Sequence, residues 1–365
     1  MAQTVLVVTG ASGFVGSHVV KELLERGYNV VAVARGSKAD HIQNSCDKYE
    51  GRLRVLKVTD LAKDDLSEGL QGASAVIHVA TPIPGKASLD ALIPDTKESC
   101  MNIIRQAEKA GVKSIVITGT LGSVINFLAP QEGLSNSTYN PMTEEEALAS
   151  GNSVFVYGVA KKYAELAVWE WATAHPHFEV TIIYPPLIFG PYAPEFFPVS
   201  PQNHSSNQYL YGLLEPEGKI SWSTFYVDVR DLAKAHVNAL NSPPTADVGR
   251  KRVIIGSPYP VDGKRAIEIL AENRPQWKSR LNKREPPKEI SPTNMSLGKF
   301  SGDFARVEEV LGIKETEFVT FEQTILDMMD QYIVLEDEWK KQGLDVSVNV
   351  KFGGLATSEL IGRVR

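Results

Sequence analysis

A tyrosine and a lysine stand four residues apart in the segment Tyr157-Gly-Val-Ala-Lys161. Residues i and i+4 of a helix share one face, so a helix here would bring the phenol and the ammonium together. A nearby ammonium stabilises phenolate and lowers the tyrosine pKa from about 10. The pair therefore predicts a general acid, Tyr157, tuned by Lys161. Because this spacing occurs by chance in many helices, its meaning depends on the surrounding fold.

Three glycines spaced three apart, Gly10, Gly13 and Gly16, lie between a short apolar run and an amphipathic segment. In a strand–turn–helix unit the first glycine permits a tight turn, the second lets the backbone approach a pyrophosphate, and the third lets the helix pack closely on the strand. The helix start at Phe14 and Val15 would offer free N–H groups and a positive dipole end to an anion. The turn predicts a dinucleotide site.

The end of the second predicted strand indicates which dinucleotide binds. The chain has Arg35 there, followed by Lys38. NAD sites place an Asp or Glu at this point to bind the ribose 2′-hydroxyl, and such a carboxylate would repel a 2′-phosphate. A guanidinium instead binds phosphate through two parallel hydrogen bonds. A solvated basic loop is the alternative interpretation, and we predict NADP(H) as the cofactor.

The elements that must position these residues alternate along the first half of the chain. Short β-branched runs predict strands, and amphipathic stretches between them predict helices. This alternation predicts an α/β fold with a doubly wound parallel sheet, in which Tyr157 and Lys161 lie on the helix after the fifth strand. The predicted strands are 5–9, 29–34, 53–57, 75–79, 112–118 and 179–184, and the helices are 13–26, 89–110 and 154–174.

The alternation of predicted strands and helices ends after the fifth strand. Segments 121–152 and 185–216 are long and rich in Pro, Asn, Gly or aromatic residues, and long loops usually form binding surfaces or lids. We therefore expect a smaller C-terminal substrate-binding lobe beside the nucleotide-binding domain. The predicted division is a Rossmann domain of 1–184 with 220–256 returning to it, a substrate lobe of 185–219 and 257–345, and a tail of 346–365.

Composition limits the class of protein. The 365 residues are 43% hydrophobic and carry 38 basic against 44 acidic side chains, a net charge of −6. A general nucleic-acid binder needs a basic excess, and a membrane span needs about 20 apolar residues, so we expect neither partner. Cys46 and Cys100 form no Cys-x-x-Cys motif and read as reduced thiols, which favours a cytoplasmic protein without a metal site. We expect a monomer or homodimer.

The chain resembles an extended short-chain dehydrogenase/reductase, and it is most similar to the branch of dihydroflavonol reductases, cinnamoyl-CoA reductases and fungal methylglyoxal or aldehyde reductases. The matching segments follow one another in family order and at family spacing. They are 9–16, 60–61, 78–80 (His-Val-Ala), 157–161, 185–191 (PPLIFGP) and 225–235 (FYVDVRDLAKA). The resemblance implies a Rossmann fold and a nicotinamide cofactor.

The resemblance also implies individual roles. Lys161 would bind the nicotinamide ribose as well as tune Tyr157. Six further residues are expected around the cofactor: Asp60 at the adenine amino group, Leu61 beside the adenine ring, Ala80 and Thr81 on the path to the nicotinamide ribose, and Pro185 with Ile188 near the nicotinamide amide. Without the family resemblance, the sequence context of Asp60 indicates a turn-forming residue and that of His78 a histidine in the core.

One departure from the family concerns the substrate. The fifth strand of relatives usually ends Thr-Ser-Ser, and its last serine bonds the substrate carbonyl. This chain has Thr118-Gly119-Thr120, which makes Thr120 the expected donor and Ser123 the fallback. The extra methyl stiffens the side chain and tightens the pocket. A second departure leaves only Asn102 of the usual Gly-Thr-x-Asn in the preceding helix.

These observations predict an NADPH-dependent reductase of an aldehyde or ketone. Tyr157 would protonate the forming alkoxide while Thr120 holds its oxygen. The remaining predicted substrate contacts are Leu121, Ser123, Phe189, Tyr192 and Phe197. A nucleotide-sugar epimerase or dehydratase is the alternative enzyme, disfavoured by Arg35 and by the lack of an acidic residue at 121–122. A non-catalytic NADPH sensor is the alternative of another class, disfavoured by the Tyr157–Lys161 pair.

Overall fold

Strands and helices alternate in a computed structural model that describes residues 5–82, 88–128, 134–201, 203–218, 225–259, 261–284, 302–346, 351–352 and 355–356. The strands are β1 (Val5–Thr9), β2 (Asn29–Arg35), β3 (Leu53–Val58), β4 (Ala73–His78), β5 (Ser114–Thr118), β6 (Glu179–Tyr184), β7 (Leu187–Phe189), β8 (Tyr226–Asp228), β9 (Lys251–Ile254), β10 (Lys351–Phe352) and β11 (Leu355–Ala356). The helices are α1 (Phe14–Glu25), α2 (Gly36–Gln43), α3 (Ser67–Leu70), α4 (Leu89–Lys109), α5 (Glu144–Ala149), α6 (Ser153–Ala174), α7 (Gln208–Tyr211), α8 (Val229–Asn238), α9 (Thr245–Val248), α10 (Gly263–Asn273), α11 (Phe304–Leu311) and α12 (Phe321–Lys341).

Seven strands form one sheet in the order β3-β2-β1-β4-β5-β6-β9. Every neighbouring pair in it is parallel. The strand order reverses between β1 and β4, where Thr9 pairs with His78 at the carboxyl ends of the two strands. Ligands of open α/β sheets bind in the crevice at such a reversal. The predicted doubly wound parallel fold is confirmed.

Helices cover both faces of the sheet, which is why its strands are almost continuously apolar. On one face, α4 and α6 pack on side chains such as Val76, Ile115 and Ile182. On the other, α1, α2, α8 and α11 pack on side chains such as Val8 and Val116. In the described part of the chain no helix has the length and apolar character needed to cross a membrane.

A third apolar cluster lies outside the sheet and joins α7, α10 and α12 to the short parallel pair β7–β8. Phe189, Tyr192 and Phe197 belong to it and are all at most 4% exposed. Beyond Val346 the structure describes a short antiparallel pair, β10 with β11. Most of the predicted tail, 346–365, lies outside the described residues.

Candidate active site

The glycine turn after β1 forms a cradle that larger residues could not form. Gly10 has φ +71°, and a Cβ there would stand 2.8 Å from the backbone nitrogen of Ala80. The Gly13 N–H donates to the Gly10 carbonyl at 2.8 Å. A Cβ on Gly16 would overlap with that same carbonyl. The turn is therefore pressed against the loop after β4, and Gly13, as the second glycine of such a turn, would let the backbone approach a pyrophosphate.

The first turn of α1 presents its N–H groups toward that cradle. Gly13 is the N-cap, and among the described residues no side chain caps the helix. The Phe14 ring lies 5.4 Å from the Tyr192 ring and 6.1 Å from the Phe197 ring, so the side chain is packed in the protein. Phe14 and Val15 can therefore offer backbone N–H groups to an anion. The residues present fit the phosphates of a dinucleotide.

Arg35 is the last residue of β2 and the N-cap of α2, and it is exposed. It takes part in no salt bridge within the ranges that the structure describes. Lys38 lies on the first turn of α2. The nearby carboxylate of Asp40 is already paired with Lys57 at 3.0 Å. The end of β2 thus presents cationic side chains where an NAD site would have a carboxylate.

Asp60 shapes the turn after β3. One carboxylate oxygen accepts from the Ala62 N–H at 3.0 Å, and the other lies 3.2 Å from the Lys63 ammonium. The Asn102 side chain donates to the Leu61 carbonyl at 2.8 Å, so α4 holds this turn in place. Asp60 is thus a turn former, as its sequence context suggested, and its contact with adenine stays a prediction. The bond to Leu61 also gives Asn102 a structural role.

Lys161 is 4% exposed and donates to the Thr81 hydroxyl at 3.1 Å. Burial lowers the pKa of Lys161. On β4, the His78 ring shares a 2.7 Å hydrogen bond with the Thr9 hydroxyl, which also accepts from the Ala80 N–H at 3.3 Å. Burial and the nearby ammonium lower the pKa of His78 to about 3, so its ring is neutral. Lys161 is therefore tied to the same loop that the glycine cradle touches.

Tyr157 does not have the lowered pKa that its spacing from Lys161 predicts. Burial raises the pKa of Tyr157 to about 12. The expectation was wrong because loss of water around a phenolate outweighs the attraction of an ammonium one turn away, which is itself engaged with Thr81. The phenol consequently stays protonated at neutral pH and is able to donate a proton.

Thr120 and Ser123, the two hydroxyl candidates, have different surroundings. The Ser123 hydroxyl is 1% exposed and donates to the Thr120 carbonyl at 2.8 Å. The Thr120 hydroxyl is half-buried and accepts from the Gly122 N–H at 3.3 Å, which uses a lone pair rather than its proton. The proton of Ser123 is therefore committed to the backbone, and the geometry favours Thr120 as the donor to a ligand.

At Gly119 the surrounding side chains leave no room for a larger residue. A Cβ at this position would stand 2.8 Å from the Tyr184 ring and 3.1 Å from Ile182. Tyr184 is fully buried, so its ring cannot easily move aside. In this chain the space of the missing side chain is taken by Tyr184.

Sequence reasoning missed the contacts that hold the short 3₁₀ helix Leu121–Ser123 in place. A Cβ on Gly158 of α6 would stand 2.7 Å from the Gly122 carbonyl, so the helix and the turn are in close contact. Asn140 donates through its side chain to the Gly122 carbonyl at 2.9 Å and through its N–H to the Ser123 carbonyl at 2.8 Å. The Lys162 ammonium donates to the Asn140 carbonyl at 3.0 Å. No pattern in the sequence around Asn140 predicts that it holds this short helix in place.

The end of β6 reaches the same turn, because the Pro185 carbonyl accepts from the Leu121 N–H at 2.9 Å. Leu121 is buried, and Ile188 on β7 is half-buried. Pro185 and Leu121 therefore lie beside Thr120. Their contacts with a nicotinamide or a substrate stay predictions.

The three aromatic residues predicted for the substrate pocket are buried in the C-terminal lobe. Phe189 packs against the Tyr226 ring at a centroid distance of 5.9 Å and is fully buried. The Tyr192 hydroxyl donates to the His204 carbonyl at 2.8 Å, and the Tyr192 and Phe197 rings stack at 5.3 Å. These three side chains belong to the apolar core of the C-terminal lobe, and their contact with a substrate stays a prediction.

The doubly wound sheet and the glycine cradle at its strand-order reversal define a dinucleotide-binding α/β protein. Residues 6–256 match the model of the NAD dependent epimerase/dehydratase family, and the chain belongs to this family. The resemblance to extended short-chain dehydrogenases/reductases inferred from sequence is confirmed.

The chain is similar over nearly its whole length to fungal reductases. It is 29% identical to Candida albicans GRP2, provisionally assigned as an NADPH-dependent methylglyoxal reductase, over 91% of this chain and 99% of the relative. It is 30% identical to aldehyde reductase 2 of Sporidiobolus salmonicolor over 68% of this chain and 76% of the relative. The solved structure of yeast methylglyoxal/isovaleraldehyde reductase Gre2 with NADPH has a TM-score of 0.75, with 24% identity, 92% of this chain and 99% of that chain covered.

Proposed function

We propose that the protein is an NADPH-dependent reductase that converts an aldehyde or ketone to the alcohol. The observation that carries the proposal is the hydrogen bond from Lys161 to Thr81. Thr81 follows Ala80, against which Gly10 of the phosphate cradle is pressed. This bond thus joins the helix that bears Tyr157 to the edge of the dinucleotide cradle. The reductases among the relatives, GRP2 and aldehyde reductase 2, support the same reaction.

The reaction divides between the cofactor and three side chains. NADPH supplies a hydride from C4 of its nicotinamide. Tyr157, which burial keeps protonated, donates a proton to the carbonyl oxygen of the substrate. Thr120 donates a hydrogen bond to the same oxygen as negative charge develops on it. Lys161, anchored on Thr81, would bind the ribose of the cofactor.

A direct screen tests this function. NADPH oxidation is followed by absorbance with small aldehydes, α-ketoesters and aryl ketones as substrates. We expect turnover with at least one of these classes. Tight NADPH binding without turnover on any carbonyl would instead favour a cofactor sensor, and absence of NADPH binding would reject both functions.

Arg35 should determine the choice of cofactor. Arg35→Ala is expected to raise KM for NADPH by roughly 10- to 150-fold, because it removes charge-assisted hydrogen bonds to the 2′-phosphate of about 1.5–3 kcal/mol. KM for NADH should barely change, since NADH has no such phosphate. Steady-state kinetics with both cofactors measure the effect.

Arg54→Ala is the matched control, because Arg54 is exposed on the neighbouring strand β3. It should leave KM for both cofactors unchanged. Equal losses with NADPH and NADH in Arg35→Ala would mean that Arg35 is structural, and the preference for NADPH would lose its basis in this chain.

Three further sequence predictions belong to the proposal. The division at 184, 219, 256 and 345 would separate the nucleotide-binding domain from the substrate lobe. The protein would be a monomer or a homodimer, which sedimentation would distinguish. It would act in the cytoplasm.

A further inference from the structure

A buried ion pair lies behind the catalytic lysine. Glu165 follows Lys161 by one turn of α6 and is 4% exposed. Its Oε1 accepts from Nε of Arg252 on β9 at 2.6 Å and from Nε1 of Trp169 at 3.0 Å. Arg252 is equally buried. The pair is 87 residues apart in sequence, so the fold brings it together.

The second oxygen of this carboxylate, Oε2, is buried and has no hydrogen-bond partner among the described residues. A buried charge with an unsatisfied atom is costly unless another charge compensates it. Glu165 and Lys161 line the same small cavity, whose other lining residues are Cys100, Ile117, Gly119, Ala164, Val168 and Ile182. Two charged residues that line one largely apolar cavity interact more strongly than they would in water.

At neutral pH, the other described titratable groups around Lys161 are uncharged. His78 on β4 is neutral, because its pKa is lowered to about 3. Burial raises the pKa values of the Cys100 thiol on α4 and of Tyr157 on α6, so both stay protonated. Burial lowers the pKa of Lys161, and two neighbours oppose that effect, first Cys100 and then the carboxylate of Glu165.

Arg252 fixes the carboxylate in this place. Its Nε also lies 3.0 Å from the Tyr184 hydroxyl, and its NH1 donates to the Thr138 carbonyl at 3.0 Å. Its guanidinium stacks over the Tyr139 ring at 4.0 Å. Burial raises the pKa values of both phenols, so Arg252 is the charged group that faces Glu165 from these elements.

We propose that Glu165 is a positioning residue that keeps Lys161 charged in its buried site, with Arg252 holding the carboxylate in register. The proposal rests on the proposed function, because Lys161 matters there for cofactor binding and proton transfer. It adds a second pair of residues to the site: Glu165, four residues after the lysine on α6, and Arg252 on β9.

The test compares Glu165→Gln with Glu165→Asp. NADPH affinity is measured by fluorescence from pH 7 to 11 in a Tyr157→Phe background, so that the phenol does not titrate. Glu165→Gln should move the alkaline loss of affinity to lower pH by about one to two units, because a nearby opposite charge favours the charged form of the lysine. Glu165→Asp retains the charge and should keep the midpoint. Glu170→Gln, on the exposed side of α6, is the matched control and should change nothing.

A cofactor-free readout accompanies the titration. In Glu165→Gln the folded pKa of Lys161 falls further below its unfolded value, so stability is lost below the folded pKa and regained as pH rises toward the unfolded value. The deficit in Tm relative to the parent should therefore shrink between pH 7 and pH 10.5. This readout decides the proposal even if no carbonyl is reduced and the proposed function fails.

A loss of affinity or Tm in Glu165→Gln that is the same at every pH would overturn the proposal, since a structural role alone predicts that result. Equal midpoint shifts in the Asp and Gln variants would overturn it too. If Glu165→Gln does not fold, the double variant Glu165→Gln/Arg252→Met removes both buried charges together, which proteins often tolerate. Its alkaline midpoint should lie below that of the parent, and an unchanged midpoint would reject the role of Glu165.

Discussion

Tyr157→Phe should lower kcat for carbonyl reduction by about 10²- to 10⁴-fold while leaving NADPH affinity nearly normal. The phenol is the group that burial keeps protonated, with a pKa of about 12, and the substitution removes only its hydroxyl. The ring persists on α6, so the helix and its contacts with the cofactor cradle should be retained. Stopped-flow or steady-state NADPH oxidation, together with fluorescence binding, separates the two effects.

Lys161→Met gives the contrasting result that identifies the role of each residue. The ammonium donates to Thr81 beside the dinucleotide cradle, so its loss should reduce turnover and NADPH affinity together. Turnover in Tyr157→Phe within a factor of ten of the parent would show that the proton comes from water or another side chain, and Tyr157 would lose its place in the mechanism.

The raised pKa of Tyr157 also sets the expected pH dependence of reduction. A phenol with a pKa of about 12 stays protonated throughout the neutral and mildly alkaline range. Burial has the opposite effect on Lys161, whose pKa is lowered. The alkaline loss of kcat should accordingly follow Lys161 rather than Tyr157, and Tyr157→Phe should retain the alkaline limb of NADPH binding.

The fold was predictable because buried parallel strands have a distinctive sequence. Runs such as Val5–Thr9 and Glu179–Tyr184 are apolar on both faces, and the structure begins and ends those strands where the sequence predicts. The fifth strand begins at Ser114 rather than 112, because Gly111, with φ +81°, and the following residue still terminate α4. Helix α5 was missed inside the long 121–152 segment, although Thr143 and Glu146 form a capping box that the sequence displays.

The site was predictable only where function depends on local pattern. The glycine turn and the Tyr157–Lys161 spacing lie within single elements, and the structure places them where the pattern indicates. Burial is a property of the whole fold, so the sequence could not show that the pKa of Tyr157 rises. Nor could it show that Phe189 and Tyr192 belong to the apolar core of the C-terminal lobe.

The sequence contained an indication of the ion pair between Glu165 and Arg252 only at Glu165. Glu165 continues the i, i+4 spacing of Tyr157 and Lys161, which places all three on one face of α6. Its partner Arg252 lies on β9, and no local sequence pattern predicts which residue of a distant strand will contact a given helix. The same reasoning applies to Gly119, whose missing side chain is explained by the Tyr184 ring on the adjacent strand.

Thr120→Val should remove most of kcat, by about 10²- to 10³-fold, as expected for loss of one oxyanion donor. The two side chains are nearly isosteric, so the β-branched packing at the end of β5 should persist and the loss should report the hydroxyl. Thr120→Ser restores a hydroxyl without the methyl, and it should keep substantial activity. Melting temperatures of both variants establish that they fold, and KM for NADPH should stay near that of the parent.

Ser123→Ala is the decisive comparison for this assignment. The Ser123 hydroxyl donates to the Thr120 carbonyl at 2.8 Å in a buried position, so its removal should cost about 1 kcal/mol of stability and only a small part of kcat. The opposite pattern, with a large loss of kcat in Ser123→Ala and nearly full activity in Thr120→Val, would mean that Ser123 rotates toward the substrate. Thr120 would then only pack, and the strand-end threonine would not replace the serine of the relatives.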